Sequence, residues 1–319
     1  MSDEATPREA FVKLSRDLKK AARHLSRANA RWMIDQYYTI QDERIRSASQ
    51  GRANASAEEP KELIDWIFDT MRRFEAAIQG ALGEYAQQYK VGQWLMAQYG
   101  IGPVLAAACL AHLEIEGRPT VGAFWRFAGL DPTSKWEKKT KRPWNAQLKS
   151  ILVFKMGESF VKFHGREKCY YGPLWKKHKD KLWLQNIRGQ FSETANADVA
   201  GKKYGKATQA LRWVRGDYSL AAVEAWLAAG KGEKPPENGG VGVPMLPPAQ
   251  IHARARRWTV KLFLSHLHHV MHHDWYGVDP PRPYIFEHPE ADAGVSHTHL
   301  LEPQLWPGSY DGASLKSMM

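Results

Sequence analysis

Tyr99-Gly100-Ile101-Gly102-Pro103-Val104-Leu105-Ala106-Ala107-Ala108-Cys109-Leu110 is the stretch on which the reading of this chain turns. Two glycines around an aliphatic residue permit a tight hairpin, and proline suits the first position of a helix built from the apolar run that follows. Such a turn aims backbone N–H groups, backed by the helix dipole, at a phosphate. That contact needs no side chain and therefore reads no base sequence. The same pattern also makes an ordinary corner between packed helices. Ala123-Phe-Trp-Arg-Phe-Ala-Gly-Leu-Asp-Pro132 follows at a distance that suits a second packed helix and turn.

Working outward, residues 1–94 read as a long helical hairpin or coiled coil. Phe11, Leu14, Leu18, Ala21, Leu25, Ala28 and Trp32 recur at spacings of three and four, as do Ile64, Ile67, Met71, Phe74, Ile78, Ala81 and Tyr85. Gly51, Asn54 and Pro60 break the two runs. Exposed apolar seams of that length are costly in water, so a homo-oligomer held by the N-terminal helices is expected, with packing inside one chain as the alternative. Residues 95–277 are helical in pattern, with an insertion at about 165–248 that includes a loop-rich stretch beginning at Gly230. Alternating strand-like runs are scarce, which predicts an all-α fold. Residues 278–319 form a Pro- and His-rich tail, expected to drape over the surface or extend from it.

Of the 319 residues 43% are hydrophobic and 25% charged, the balance of a soluble globular protein. No apolar run approaches the roughly 18 residues of a membrane span. The first residues lack the basic-then-apolar pattern of a secretory signal. The two cysteines, Cys109 and Cys169, form no Cys-x-x-Cys pair, which points to a reducing cytoplasm. The formal net charge is +11, and between 135 and 181 fourteen Lys or Arg face four Asp or Glu. An excess concentrated in one segment predicts a polyanionic partner, DNA first. The alternative is a basic surface with no such partner.

Residues 100–108, Phe127-Ala-Gly-Leu-Asp-Pro132, Thr140-Lys-Arg142 and Asn145-Ala-Gln-Leu-Lys149 together resemble the C-terminal transposase domain of Piv-type DNA invertases and bridge-RNA-guided insertion-sequence transposases. The helix Ala253-Arg-Ala-Arg-Arg-Trp-Thr-Val-Lys-Leu-Phe-Leu264 is similar to that family's closing helix, so the resemblance covers about residues 60–277. It implies a helix-hairpin-helix DNA-binding domain acting in recombination, transposition or the DNA processing of a phage or mobile element. Two features depart from the family. Its RuvC-like nuclease domain, with four separated metal-binding acids, has no counterpart in residues 1–90. Its serine nucleophile lies in a Ser-Gly-Gly-like context, whereas this chain has Thr133-Ser134-Lys135-Trp136-Glu137 there.

The expected nucleic-acid contacts are Gly100, Ile101 and Gly102 by backbone, and Lys138, Lys139, Lys141, Arg142, Asn145, Lys149, Lys176, Lys177 and Lys179 by side chain. Interleaved aromatics, among them Trp136, Trp144, Phe154, Phe160, Trp175 and Trp183, suggest stacking platforms for unpaired bases. Ser134 is the candidate nucleophile, against the reading of a plain turn residue. Activity would require an activating base or a divalent cation such as Mg²⁺. His268 and His272, like His269 and His273, sit one helical turn apart and could chelate a metal with Asp274; the alternative is a polar face bearing histidines. Two rival functions remain open: an active strand-transferase that uses Ser134 with a partner's nuclease domain, and a structured-RNA-binding module.

Overall fold

A computed structural model describes residues 20–53, 61–230, 236, 240–281 and 310–318. Among these are twelve α-helices and no strand, so the chain is all-α. It divides into two compact units, one made of 1–159 with 261–319 and the other of 160–260. The sequence predicted an insertion at about 165–248; the segment that packs by itself starts and ends within helices, at 160 and 260.

In the first unit α1 (Arg27–Ala53) and α2 (Lys61–Gln87) form an antiparallel hairpin, packed on each other and on α4 (Pro103–His112). The base of the hairpin is thus packed within the chain, and the hairpin shares a compact unit with the turn region. The expected register in α1 is wrong where it can be seen. Ala30, Ile34 and Tyr37 point inward, whereas Ala21, Ala28 and Trp32 are exposed. The cause is a break at 23–26, after which Ser26 starts a new helix by accepting from the Asn29 amide at 3.2 Å. Phe11, Leu14 and Leu18 lie outside the described residues. In α2 the buried positions Ile78, Ala81 and Tyr85 match the expected seam, while Phe74 is exposed. Buried Glu75 interrupts the apolar line. It accepts from Gln41 at 3.0 Å and pairs with Arg44.

α3 (Lys90–Ala97) leads through a turn at 98–102 into α4, which is apolar all round and buried from Ala106 to His112. A helix without a polar face belongs in a core. α5 (Val121–Phe127) is capped by Thr120, and α6 (Ala146–Ser150) by Asn145. From α6 the chain runs on through a π-helical turn, Ile151–Met156, into α7 (Gly157–Lys162). The last long helix, α12 (Pro248–Tyr276), gives its second half to this unit, where Phe263 stacks on Trp94 with ring centroids 6.2 Å apart. Residues 310–318 return to this unit. The Ala313 and Lys90 backbones pair at 3.0 Å, Leu315 is buried, and Asp274 accepts from the Leu315 amide at 2.7 Å. The end of the expected tail is thus pinned, and 282–309 lie outside the described residues.

The second unit holds α8 (Tyr171–Ile187), α9 (Ser192–Ala200), α10 (Gln209–Arg215), α11 (Leu220–Ala228) and the first half of α12. Its core gathers Trp183, Trp213, Tyr218, Val223, Leu246 and Ile251. The fully buried Asn186 clamps the backbone at Leu246, donating at 3.0 Å and accepting at 2.9 Å.

Candidate nucleic-acid interface

The turn at 98–102 is closed by the Ile101 amide, which donates to the Gln98 carbonyl at 3.0 Å. Gly100 has φ +97°, the left-handed conformation that favours glycine. Its carbonyl accepts from the Ser159 hydroxyl at 2.5 Å. Ile101 is buried and anchors the turn. Gly102 is exposed and extended, with φ −92° and ψ 179°, and begins α4 ahead of Pro103. A Cβ built on Gly102 would meet nothing within 4 Å, so the space beside Gly102 at the start of α4 is open. The second turn, after α5, is shaped differently. Gly129 has φ +66°, and its Cβ would stand 2.7 Å from the Trp144 ring. The Asn145 amide donates to the Phe127 carbonyl at 2.9 Å, fastening the loop at 130–144 to the end of α5.

Between 135 and 142 that loop carries Lys135, Lys138, Lys139, Lys141 and Arg142 against one acid, Glu137, and all five cations are exposed. None of the five has a carboxylate partner among the described residues. Elsewhere in the first unit most described arginines are matched, among them Arg23 with Glu84 at 2.8 Å, Arg27 with Glu116 at 2.9 Å and Arg31 with Glu114 at 3.5 Å. The loop has internal order. Trp136 donates from its indole to the Thr140 carbonyl at 2.8 Å, and the Arg142 guanidinium lies 5.1 Å from the Trp136 ring. Lys139 holds a positive φ of 74°, rare for a residue with a side chain.

The remaining expected contacts divide. Asn145 is occupied as the cap of α6, accepting from the Leu148 amide at 2.9 Å, with its Nδ2 3.4 Å from His112 Nδ1. Lys149 lies over Trp144 at 4.5 Å. Lys176 and Lys177 are exposed on α8 in the second unit, whereas Lys179 turns in over Trp175 at 4.8 Å, with its Nζ 3.5 Å from His252. The basic run thus belongs to two units, with seven cations and two acids at 135–159 and the same numbers at 160–181. Of the aromatics, Trp136 and Phe154 are exposed, while Phe160, Trp175 and Trp183 are buried.

Ser134 donates to Asp131 at 3.3 Å, beside Thr133, whose hydroxyl and amide donate to the same carboxylate at 2.7 and 2.9 Å. Burial pushes the Asp131 carboxyl up, but these bonds and one from Arg126 outweigh it and hold the group below its ordinary value. The arrangement is that of a turn closed on an anionic aspartate, a weak base for a serine hydroxyl.

The histidines of α12 serve separate partners. His268 Nε2 is 3.1 Å from the Arg118 carbonyl, His272 Nδ1 is 3.0 Å from the Val278 carbonyl, and His269 Nε2 is 3.1 Å from Asp279. His273 is half-buried, and Asp274 holds the chain at 314–315. Among the described residues no three of His, Cys, Asp or Glu converge as a metal-binding group. Burial pushes His268, like His112, down to about 4, so both are neutral packing residues near pH 7.

Two clefts were not foreseen from sequence. One, of about 380 Å³, is lined by Asp35, Tyr38 and Asp42 of α1 with Gln147, Ser150 and Lys155. Burial raises the Asp35 carboxyl, which accepts from Gln147. The i, i+7 spacing of Asp35 and Asp42 was the available signal, but such pairs are common on solvated helices. The other cleft, about 510 Å³ in the second unit, is lined by Arg212, Arg215 and Asp217. No described helix is long and apolar enough to cross a membrane. No family model, curated protein or solved structure matches the chain.

Proposed function

We propose that this chain binds DNA without strong base preference, through the cationic loop at 135–142 and the backbone turn at 100–102, as a transposase-like protein of recombination or mobile-element DNA processing. One observation carries the reading: five exposed cations in eight residues, none matched to a carboxylate, in a unit whose other arginines are largely paired. Leaving like charges adjacent and unpaired costs folding free energy, and a polyanion releases that cost along with its own counterions. The exposed Gly102 at the start of α4 adds a helix N-terminus, whose amides suit a phosphate.

Fluorescence anisotropy of a labelled duplex, titrated between 50 and 200 mM salt, tests it. Binding should weaken steeply with salt. Changing Lys138, Lys139, Lys141 and Arg142 together to Ala should lower the slope of log affinity against log salt by about 0.9 for each phosphate that is no longer neutralised. An unaltered slope would remove the loop from the interface. Competition with structured RNA in the same assay decides the nucleic acid: RNA displacing duplex at lower concentration would overturn the DNA assignment. Incubation with supercoiled plasmid and Mg²⁺ separates binder from strand-transferase, nicking dependent on Ser134 being the result that favours the enzyme.

A further inference from the structure

On the DNA-binding reading above, we infer further that the ring of Trp136 is a stacking platform for an unpaired nucleobase, so that this loop prefers DNA with a single-stranded gap to intact duplex. From Lys135 to Pro143 every residue is exposed, so Trp136 has no core of its own to join, and it is 40% exposed. The chain holds the indole by its polar edge. Its N–H donates to the Thr140 carbonyl at 2.8 Å. Thr140 is itself fixed, its amide and hydroxyl donating to the Glu137 carbonyl at 3.2 and 2.8 Å. Inside that turn Lys139 has φ +74°, a conformation strained for a residue with a side chain. Three hydrogen bonds and one strained residue thus fix an indole that stays at the surface. With its edge occupied, what the ring has left to offer a partner is its face.

Trp144, the other tryptophan of the loop, is placed differently. It is half-buried against Gly129, where a Cβ would come within 2.7 Å of the ring, and Lys149 lies over it at 4.5 Å. Over Trp136 lies Arg142, 5.1 Å from the ring centre. Among the described residues no aromatic ring and no second cation is stacked on it.

The surroundings decide what stacks there. Lys135, Lys138, Lys139, Lys141 and Arg142 flank the indole, none matched to a carboxylate, which favours an aromatic group that brings negative charge with it. A nucleotide is such a group, a flat ring joined to a phosphate. Binding of unpaired nucleic acid without sequence preference combines these two contacts, a cationic track and an aromatic platform. In an intact duplex each base is stacked on its neighbours, and extruding one costs free energy; a base already unpaired avoids that cost.

Fluorescence anisotropy of the full chain tests this by comparing an intact duplex with the same duplex carrying a short single-stranded gap. The gapped DNA should bind on the order of tenfold more tightly, as expected from one stacked base. Trp136→Phe should keep most of that preference and Trp136→Ala should abolish it, both with the salt slope unaltered because no charge changes. Iodouridine placed in the gap and irradiated in the complex should cross-link to Trp136. Equal affinity for gapped and intact DNA overturns the inference while leaving the phosphate contacts of the loop standing. Absence of binding to either overturns the DNA-binding reading and this inference with it. A Trp136→Ala chain that loses affinity for both alike, with a flattened salt slope, reduces the indole to a brace for the loop and overturns the platform, as does cross-linking to another residue. Single-stranded RNA that displaces gapped DNA at lower concentration overturns the assignment to DNA.

Discussion

At Gly102 the backbone is extended and a new methyl group meets nothing, whereas at Gly129 the backbone is left-handed and the methyl group would strike Trp144. Opposite outcomes follow for two glycines in similar-looking sequence. Gly102→Val should destabilise by no more than the N-cap preference requires, on the order of 1 kcal/mol, yet weaken duplex binding by the same factor for unrelated sequences. Gly129→Ala should destabilise by more than the roughly 1 kcal/mol of a left-handed non-glycine residue, because the clash with Trp144 adds to it. Thermal melts and anisotropy on the two variants check this, and wild-type binding by folded Gly102→Val would reduce the turn to a corner between helices. Which of the two glycines flanking Ile101 is conformationally required could not be read from Gly-Ile-Gly. The positive φ belongs to Gly100, and only the closed turn reveals that.

Among elements, the hairpin depends on a polar lock as well as its apolar seam. Glu75 is buried, and bonds from Arg44, Gln41 and Tyr37 overcome the upward push of burial to hold its carboxyl below the ordinary value. Glu75→Ala should destabilise by about 1–3 kcal/mol, because it leaves the half-buried Arg44 guanidinium without its acceptor. Replacing both ends, Arg44→Met with Glu75→Leu, should recover much of that loss. Urea unfolding of the singles and the double measures the coupling, and additive losses would show the pair to be independent. Helix type and the existence of the hairpin were legible because periodicity over many residues reports one buried face. The register of α1 was not, because a Ser26 cap inside an apparently continuous rhythm restarts the helix. The basic loop was legible from Lys135 to Arg142 as a run of charge. The inward turn of Lys179 and the capping work of Asn145 were not, since each depends on a neighbour distant in sequence or on a turn not yet formed.

Across the whole molecule, three histidines set a common response to acid, two of them buried and the third half-buried. His112 and His268 in the first unit, and His178 stacked on Trp258 at 4.0 Å in the second, are each pushed down to about 4, chiefly by burial. The unfolded chain takes up a proton at each near 6.5 while the folded chain does not. Stability is therefore complete above pH 6.5 and declines as the pH falls from there towards 4, each unit of depression being worth about 1.4 kcal/mol. Urea midpoints at pH 7.5, 6 and 5 should show this fall, and His268→Gln should flatten it; a midpoint independent of pH would place these rings in contact with solvent. The chain's division into units has a consequence for its making. The second unit is contiguous, so a ribosome delivers all of it in one piece. The first is interrupted: its leading 159 residues emerge without Phe263, Leu267 and Met271 of α12, which complete their core. At roughly 5–20 residues per second, the emerged N-terminal part waits on the order of 5–20 s for its missing helix, with Trp94 of α3 lacking the Phe263 ring meanwhile. The inserted unit, although it starts later in the message, is therefore the first whose residues are all delivered.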